Sequence, residues 1–170
     1  MKKIILWAAA MVLTVGAYAQ KNAFINTEQV FRAMLDYVAA LSDIDNYAQQ
    51  QQQAVDADFV KIAETYERYQ EQRANMTENA RRQVEENIIR MEKEATEKQA
   101  AVFGTDGTLM QRRIEKLKPI QDRVFEVVDR LAREKGCDLV IDISNNPSII
   151  YYNTENDLTQ EVIRALGVNK

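Results

Sequence analysis

Histidine is absent from the 170 residues, which removes the commonest general base and the commonest metal ligand. Cysteine occurs once, at Cys137, so no internal disulfide can form. No basic cluster stands beside it to activate the thiol, and its plain reading is a small buried hydrophobe. Glycine and proline are scarce, and no glycine-rich phosphate loop is present: Gly104 and Gly107 lie inside a helical pattern without dinucleotide or P-loop spacing. Serine is rare and has no imidazole to activate it. Basic residues are not in excess either, with 22 Lys and Arg against 26 Asp and Glu, so nucleic-acid binding is not expected. The pairs Glu85-Glu86, Asp56 with Asp58, Arg81-Arg82 and Arg112-Arg113 read as solvated helix faces. The inventory that an active site needs is missing, so the reading is not an enzyme, with no cofactor and no metal.

What is present begins with a leader. Lys2 and Lys3 precede an apolar run from Ile4 to Val15, and Ala17-Tyr18-Ala19 supplies an A-x-A site. Export across an inner membrane, cleavage after Ala19 and a periplasmic location are expected; the run is short for a membrane span. Without Lys2 and Lys3 the count is 20 basic against 26 acidic residues, about −6.

The dominant feature runs from Phe31 to Met76. Steps alternating between three and four residues land on Phe31, Met34, Val38, Leu41, Asp45, Ala48, Gln52, Val55, Phe59, Ile62, Tyr66, Tyr69, Arg73 and Met76. All but Asp45, Gln52 and Arg73 are apolar or aromatic, which is a coiled-coil seam. Asn26, with Gln29 three residues on, predicts a capped start, so one helix is expected from about Thr27 to Arg73. Ala74 to Thr77 predicts the turn, with Asn75 capping the second helix. That helix carries Val84, Ile88, Met91, Ala95 and Val102, then slips in phase at Gly104-Thr105-Asp106-Gly107. The pattern resumes at Met110, Ile114, Leu117, Ile120, Val124, Val127 and Leu131, with Pro119 predicting a kink or a fresh start.

Folding the two helices about a tip near residue 75 makes paired positions sum to about 151, which sets Phe31 against Ile120, Met34 against Leu117 and Leu41 against Met110. The arm would be about 70 Å long at 1.5 Å per residue. A polar seam in one arm falls near the glycines of the other, so Gln52, Gly104 and Gly107 are candidates for a flexible joint.

The remainder is short. Ala23 to Asn26, Cys137 to Ile143 and Ser148 to Tyr152 read as strands, and Asp157 with Gln160 opens a short helix closed by Gly167. The division is a signal peptide at 1–19, a β-body from 20–26 and 124–170, and a hairpin arm at 27–123 with its tip near 74–78. The fold class is α+β, mostly α: a long antiparallel helical hairpin on a small β-body. Neither part buries enough by itself, which points to an oligomer joined through the bodies. Candidate body residues are Phe24, Ile25, Leu139, Val140, Ile141, Ile149 and Ile150. Aromatic seam residues are core formers first. If the thin second seam leaves them open, Tyr47, Phe59, Val60, Tyr66, Tyr69, Met76 and Ile89 become candidate contacts for apolar segments of a client.

Three stretches resemble the Skp/OmpH family of periplasmic chaperones: residues 23–31 (AFINTEQVF), 117–122 (LKPIQD) and 136–142 (GCDLVID). Residues 157–163 (DLTQEVI) also fit, and Phe103-Gly104 resembles members from Bacteroidetes-like bacteria. The likeness covers residues 20–170. It implies a jellyfish-like homotrimer whose arms enclose a cavity. The implied activity is an ATP-independent holdase that binds unfolded outer-membrane β-barrel proteins and prevents their aggregation. One departure is plain: well-known members have basic arm tips. Here Lys61 to Lys98 holds eight basic and nine acidic residues. Contact with a membrane surface or capture of acidic clients is not supported by that balance. A periplasmic hairpin adaptor, or a structural coiled-coil scaffold of the cell envelope, remains the alternative.

Overall fold

The computed structural model describes residues 21–168, and the expected leader lies outside them. The described elements run β1 (Asn22–Ile25), α1 (Thr27–Ala33), α2 (Leu35–Gln72), a 3-10 turn (Arg73–Asn75), α3 (Glu78–Phe103), α4 (Thr108–Lys135), β2 (Leu139–Asp142), a second 3-10 turn (Thr154–Asn156) and α5 (Thr159–Ala165). Two compact units divide the chain: residues up to Val30 with those from Phe125 onward, and Phe31–Val124.

In the first unit β1 and β2 pair in parallel, with Ala23 beside Val140 and Phe24 beside Ile141. Parallel pairing needs a long crossover, which the intervening helices provide. The opposite edge of β1 bridges to Asp157, and the Leu158 N–H donates to the Phe24 carbonyl at 2.8 Å. Side chains alternate along β1: Ala23 and Ile25 are buried, as are Leu158, Val162 and Ile163, while Phe24 meets the Tyr152 ring at 5.1 Å.

Asn26 caps α1 through its Oδ1, which accepts from the Gln29 N–H at 2.9 Å. The reciprocal half of a capping box is replaced, because the Asn26 N–H donates to Thr159 Oγ1 at 2.8 Å. Asp142 joins this corner, accepting from the Thr27 N–H at 3.2 Å and its hydroxyl at 2.5 Å. Burial alone would raise this carboxyl; the hydrogen bonds from Thr27 and Ser144 outweigh it and hold its pKa below the ordinary value. The ends of α4 and α5 are closed as their glycines predict. Gly136 and Gly167 sit at φ 65° and 73°. Cys137 N–H then returns to the Ala132 carbonyl at 2.8 Å and Gly136 N–H to that of Arg133 at 3.1 Å, the two bonds of a Schellman closure.

Ser148 to Tyr152 is not a strand. Both edges of β1 are occupied, by β2 and by Asp157, and the segment joins no strand among the described residues. A strand needs such a partner, and Ile150 and Tyr151 are left 97% and 86% exposed.

In the second unit the first long helix is two helices. Met34 is extended at φ −88°, ψ 114°, between α1 and α2, and its side chain is buried. In one continuous helix Phe31 and Tyr37 would lie about 9 Å apart along the axis on different faces. The break lets their rings stack with centroids 4.9 Å apart. The turn falls at Arg73–Asn75, but the cap of α3 is Thr77, whose hydroxyl accepts from the Ala80 N–H at 3.3 Å, and not Asn75. The return helix is also two: α3 stops at Phe103 and α4 starts at Thr108. Pro119 ends nothing, since α4 runs on through it.

Candidate functional site

The hairpin core is narrow. Ile62 and Tyr69 of α2 pack with Ile88 and Ala95 of α3, flanked by Met76, Val84 and Met91. Val84, Ile88, Met91, Ala95 and Val102 thus form the inward stripe that their spacing predicts. On α2 only part of the predicted stripe is covered. Val55, Ile62 and Tyr69 are buried, as is Met34 just ahead of the helix, together with Ala40 and Ile44, which the heptad reading did not select. Val38, Phe59 and Tyr66 fall on the other row and remain exposed. That row is also the one that carries Asp45, Gln52 and Arg73, and is the less apolar of the two.

The register also departs from the simple fold-over. Cross-links join Tyr69 to Glu85, Asp58 to Lys98 and Asp43 to Arg112, each three to five residues beyond the predicted sum. Side chains in both helices lean toward their own N-termini, so in an antiparallel pair the residues that touch are numbered higher than the backbones lying level. The expected pairing of Leu41 with Met110 buries neither side chain. Both are exposed, as is Ile114, while Asp43 and Tyr47 take Arg112 and Thr108.

The candidate contact residues therefore separate. Tyr69 is 5% exposed and its hydroxyl donates to a Glu85 carboxylate oxygen. That bond to a carboxylate, with burial, raises the phenol pKa above its usual value. Tyr47 is half-buried, with its hydroxyl 2.8 Å from Thr108 Oγ1 and the Arg112 guanidinium 4.8 Å above its ring. Met76 packs on the core. Phe59, Val60, Tyr66 and Ile89 are open to solvent, Ile89 at 64%. Tyr66 and Ile89 line one shallow groove with Gln70, Arg73 and Glu85.

Of the joint candidates, Gln52 is exposed, bonds Asp56 on its own helix at 2.8 Å, and lines a hollow with Phe103. Gly104 ends α3 and Gly107 precedes α4. A Cβ on Gly104 would stand 2.4 Å from the Ala100 carbonyl oxygen, and on Gly107 2.4 Å from that of Val102. Glycine is required here for close backbone approach. Among the body candidates, Ile25 is buried, Phe24, Val140, Ile141 and Ile149 are half-buried, and Leu139 and Ile150 are exposed. No group of acidic or thiol side chains among the described residues could hold a metal ion, and no described helix is long and apolar enough to cross a membrane.

A family model described as outer membrane protein (OmpH-like) matches residues 21–166. The chain belongs to the OmpH-like family. The crystal structure of a protein described as a putative OmpH-like outer membrane chaperone, from Caulobacter crescentus CB15, is similar in fold. Its TM-score is 0.66 at 11% identity, covering 91% of this chain and 88% of that one. A comparison with curated proteins finds no match. The α+β hairpin architecture is thus that of the family. Val38, Leu41, Met110 and Ile114 are exposed although their seam spacing reads as core.

Proposed function

We propose that this OmpH-like chain is a periplasmic, ATP-independent holdase that binds unfolded outer-membrane β-barrel proteins and keeps them from aggregating. The observation that carries the reading is the uncovered apolar row of the hairpin: Val38, Phe59 and Tyr66, with Val60 and Ile89 also exposed on the same two helices. Exposed apolar side chains set singly among charges make many weak contacts without selecting a sequence. That is what an unfolded β-barrel chain, with its alternating apolar strands, calls for. Asp45 and Gln52 interrupt the row between Val38 and Phe59, so its apolar side chains stand apart among polar ones.

Self-assembly belongs to the same proposal. Among the described residues the outer edge of β2 has no strand beside it, and Ser148 to Tyr152 is an apolar, β-compatible segment that joins no sheet. A homotrimer joined through the bodies gives each unpaired edge a strand from a neighbouring copy. The test dilutes a urea-unfolded outer-membrane β-barrel protein into buffer with and without mature protein and follows light scattering. Suppression that saturates near one client per three chains, without nucleotide, is the expected result. No suppression at any protein excess would overturn the holdase and favour an adaptor or scaffold.

A further inference from the structure

Two sets of side-chain links bracket the break at Gly104–Gly107. On the tip side Lys98 Nζ reaches Asp58 Oδ2 at 2.7 Å and the Ala54 carbonyl at 3.3 Å. On the other side Arg112 donates Nε and Nη2 to the two carboxylate oxygens of Asp43, at 3.1 and 2.9 Å. Lys116 stands 3.7 Å from the same carboxylate. The Arg112 guanidinium covers the Tyr47 ring, and the Tyr47 hydroxyl meets Thr108, the first residue of α4.

The packing beneath the links differs on the two sides. Toward the tip, α2 and α3 close over Ile62, Tyr69, Ile88 and Ala95. At the level of Asp43, Ala40 and Ile44 are buried but Leu41, Met110 and Ile114 remain exposed, and close backbone approaches between α2 and α4 are sparse compared with those between α2 and α3. Charge therefore carries more of the hold on the first turns of α4 than of the hold on α3.

We propose that Asp43, Arg112 and Tyr47 form a salt-sensitive latch whose release frees the first turns of α4 at the Gly104–Gly107 break and uncovers Leu41 and Ile114 further. Asp43 and Arg112 are partly exposed, so dissolved ions screen their attraction. Salt does not weaken the apolar core toward the tip. Rising ionic strength therefore loosens α4 while leaving α3 in place. The consequence for clients rests on the holdase reading, since the freed side chains enlarge the same apolar surface; the latch itself does not.

The test is amide hydrogen exchange of the full mature protein, without client, at low salt and in about 1 M salt, where the screening length is about 3 Å. In wild type, exchange over residues 108–117 should be about five-fold faster in high salt, the order expected for one well-formed ion pair. Asp43→Asn should exchange at the fast rate in both conditions. The swapped pair, Asp43→Arg with Arg112→Asp, should regain part of the low-salt protection, which a merely unfolded variant cannot do. Residues 84–96 should stay unchanged throughout. Protection over 108–117 that ignores both salt and Asp43→Asn overturns the latch, as does loss that spreads equally to 84–96. Failure of wild type to suppress β-barrel aggregation would overturn the holdase reading alone.

Discussion

Two adjacent isoleucines offer a sharp test of the hairpin. Ile88 is 7% exposed in the core and Ile89 is 64% exposed beside the groove. They share a helix, a backbone setting and a composition, so replacing each by alanine isolates burial. Ile88→Ala removes three carbons from the core it shares with Ile62, Tyr69 and Ala95. At about 0.8 kcal/mol per buried methylene this is about 2.4 kcal/mol, and an uncollapsed cavity adds to it. The core is narrow with solvent close on both sides, so collapse is easy, and about 2–3 kcal/mol is expected, the low end for such truncations. Ile89→Ala should fall within about 0.5 kcal/mol of wild type. Urea unfolding followed by circular dichroism reads both, at one fixed protein concentration because assembly shifts apparent stability. Equal costs for the two variants would refute the assignment of the core row. Under the proposed function the ranking inverts for holding: Ile89→Ala, alone or with Tyr66→Ala, should weaken suppression of β-barrel aggregation while leaving the midpoint of unfolding in place.

Further outcomes turn on single contacts. Thr77→Ala removes the cap of α3 and should cost about 1 kcal/mol, read as earlier urea unfolding and faster exchange over residues 78–82. Gly104→Ala and Gly107→Ala should lower the melting temperature rather than stiffen the return helix, because either Cβ would strike a backbone carbonyl; a higher melting temperature would contradict the geometry. Asp142 has a lowered pKa in the folded chain, so its contribution to stability is complete above its unfolded pKa of about 3.9 and is lost as pH falls through the folded value. Asp142→Asn should therefore flatten the loss of stability in acid, measured as urea midpoints across pH. Ile150→Pro alters a side chain that is almost fully exposed, yet should dissociate the assembly in sedimentation if that segment pairs with a neighbouring copy.

The helix boundaries near glycine were legible because their causes are local. Gly136 and Gly167 adopt the left-handed conformation that closes a helix, and Asn26 caps with its own side chain. The inward stripe of α3 was legible too, since a repeat of seven on a helix with few apolar residues leaves one face to bury. The break at Met34 was not, because no glycine or proline marks it; it accompanies the stacking of Phe31 on Tyr37, a contact that exists only once the chain has folded. Ser148 to Tyr152 has the composition of a strand, but a strand is a property of two backbones, and one chain supplies no partner.

By itself, then, the order of residues determined the elements: mostly helix, short strands at either end of the helical region and a turn near residue 75. Tertiary structure decided where along the apolar stripe burial stops: Leu41 lies on the all-apolar row yet stays exposed, as do Met110 and Ile114, because the return helix breaks before it reaches them. The row that α3 covers through Val55, Ile62 and Tyr69 is the one with no polar stop, and the row left open is the one that carries Asp45, Gln52 and Arg73. The row left open, from Val38 through Phe59 to Tyr66, is where the proposed function resides.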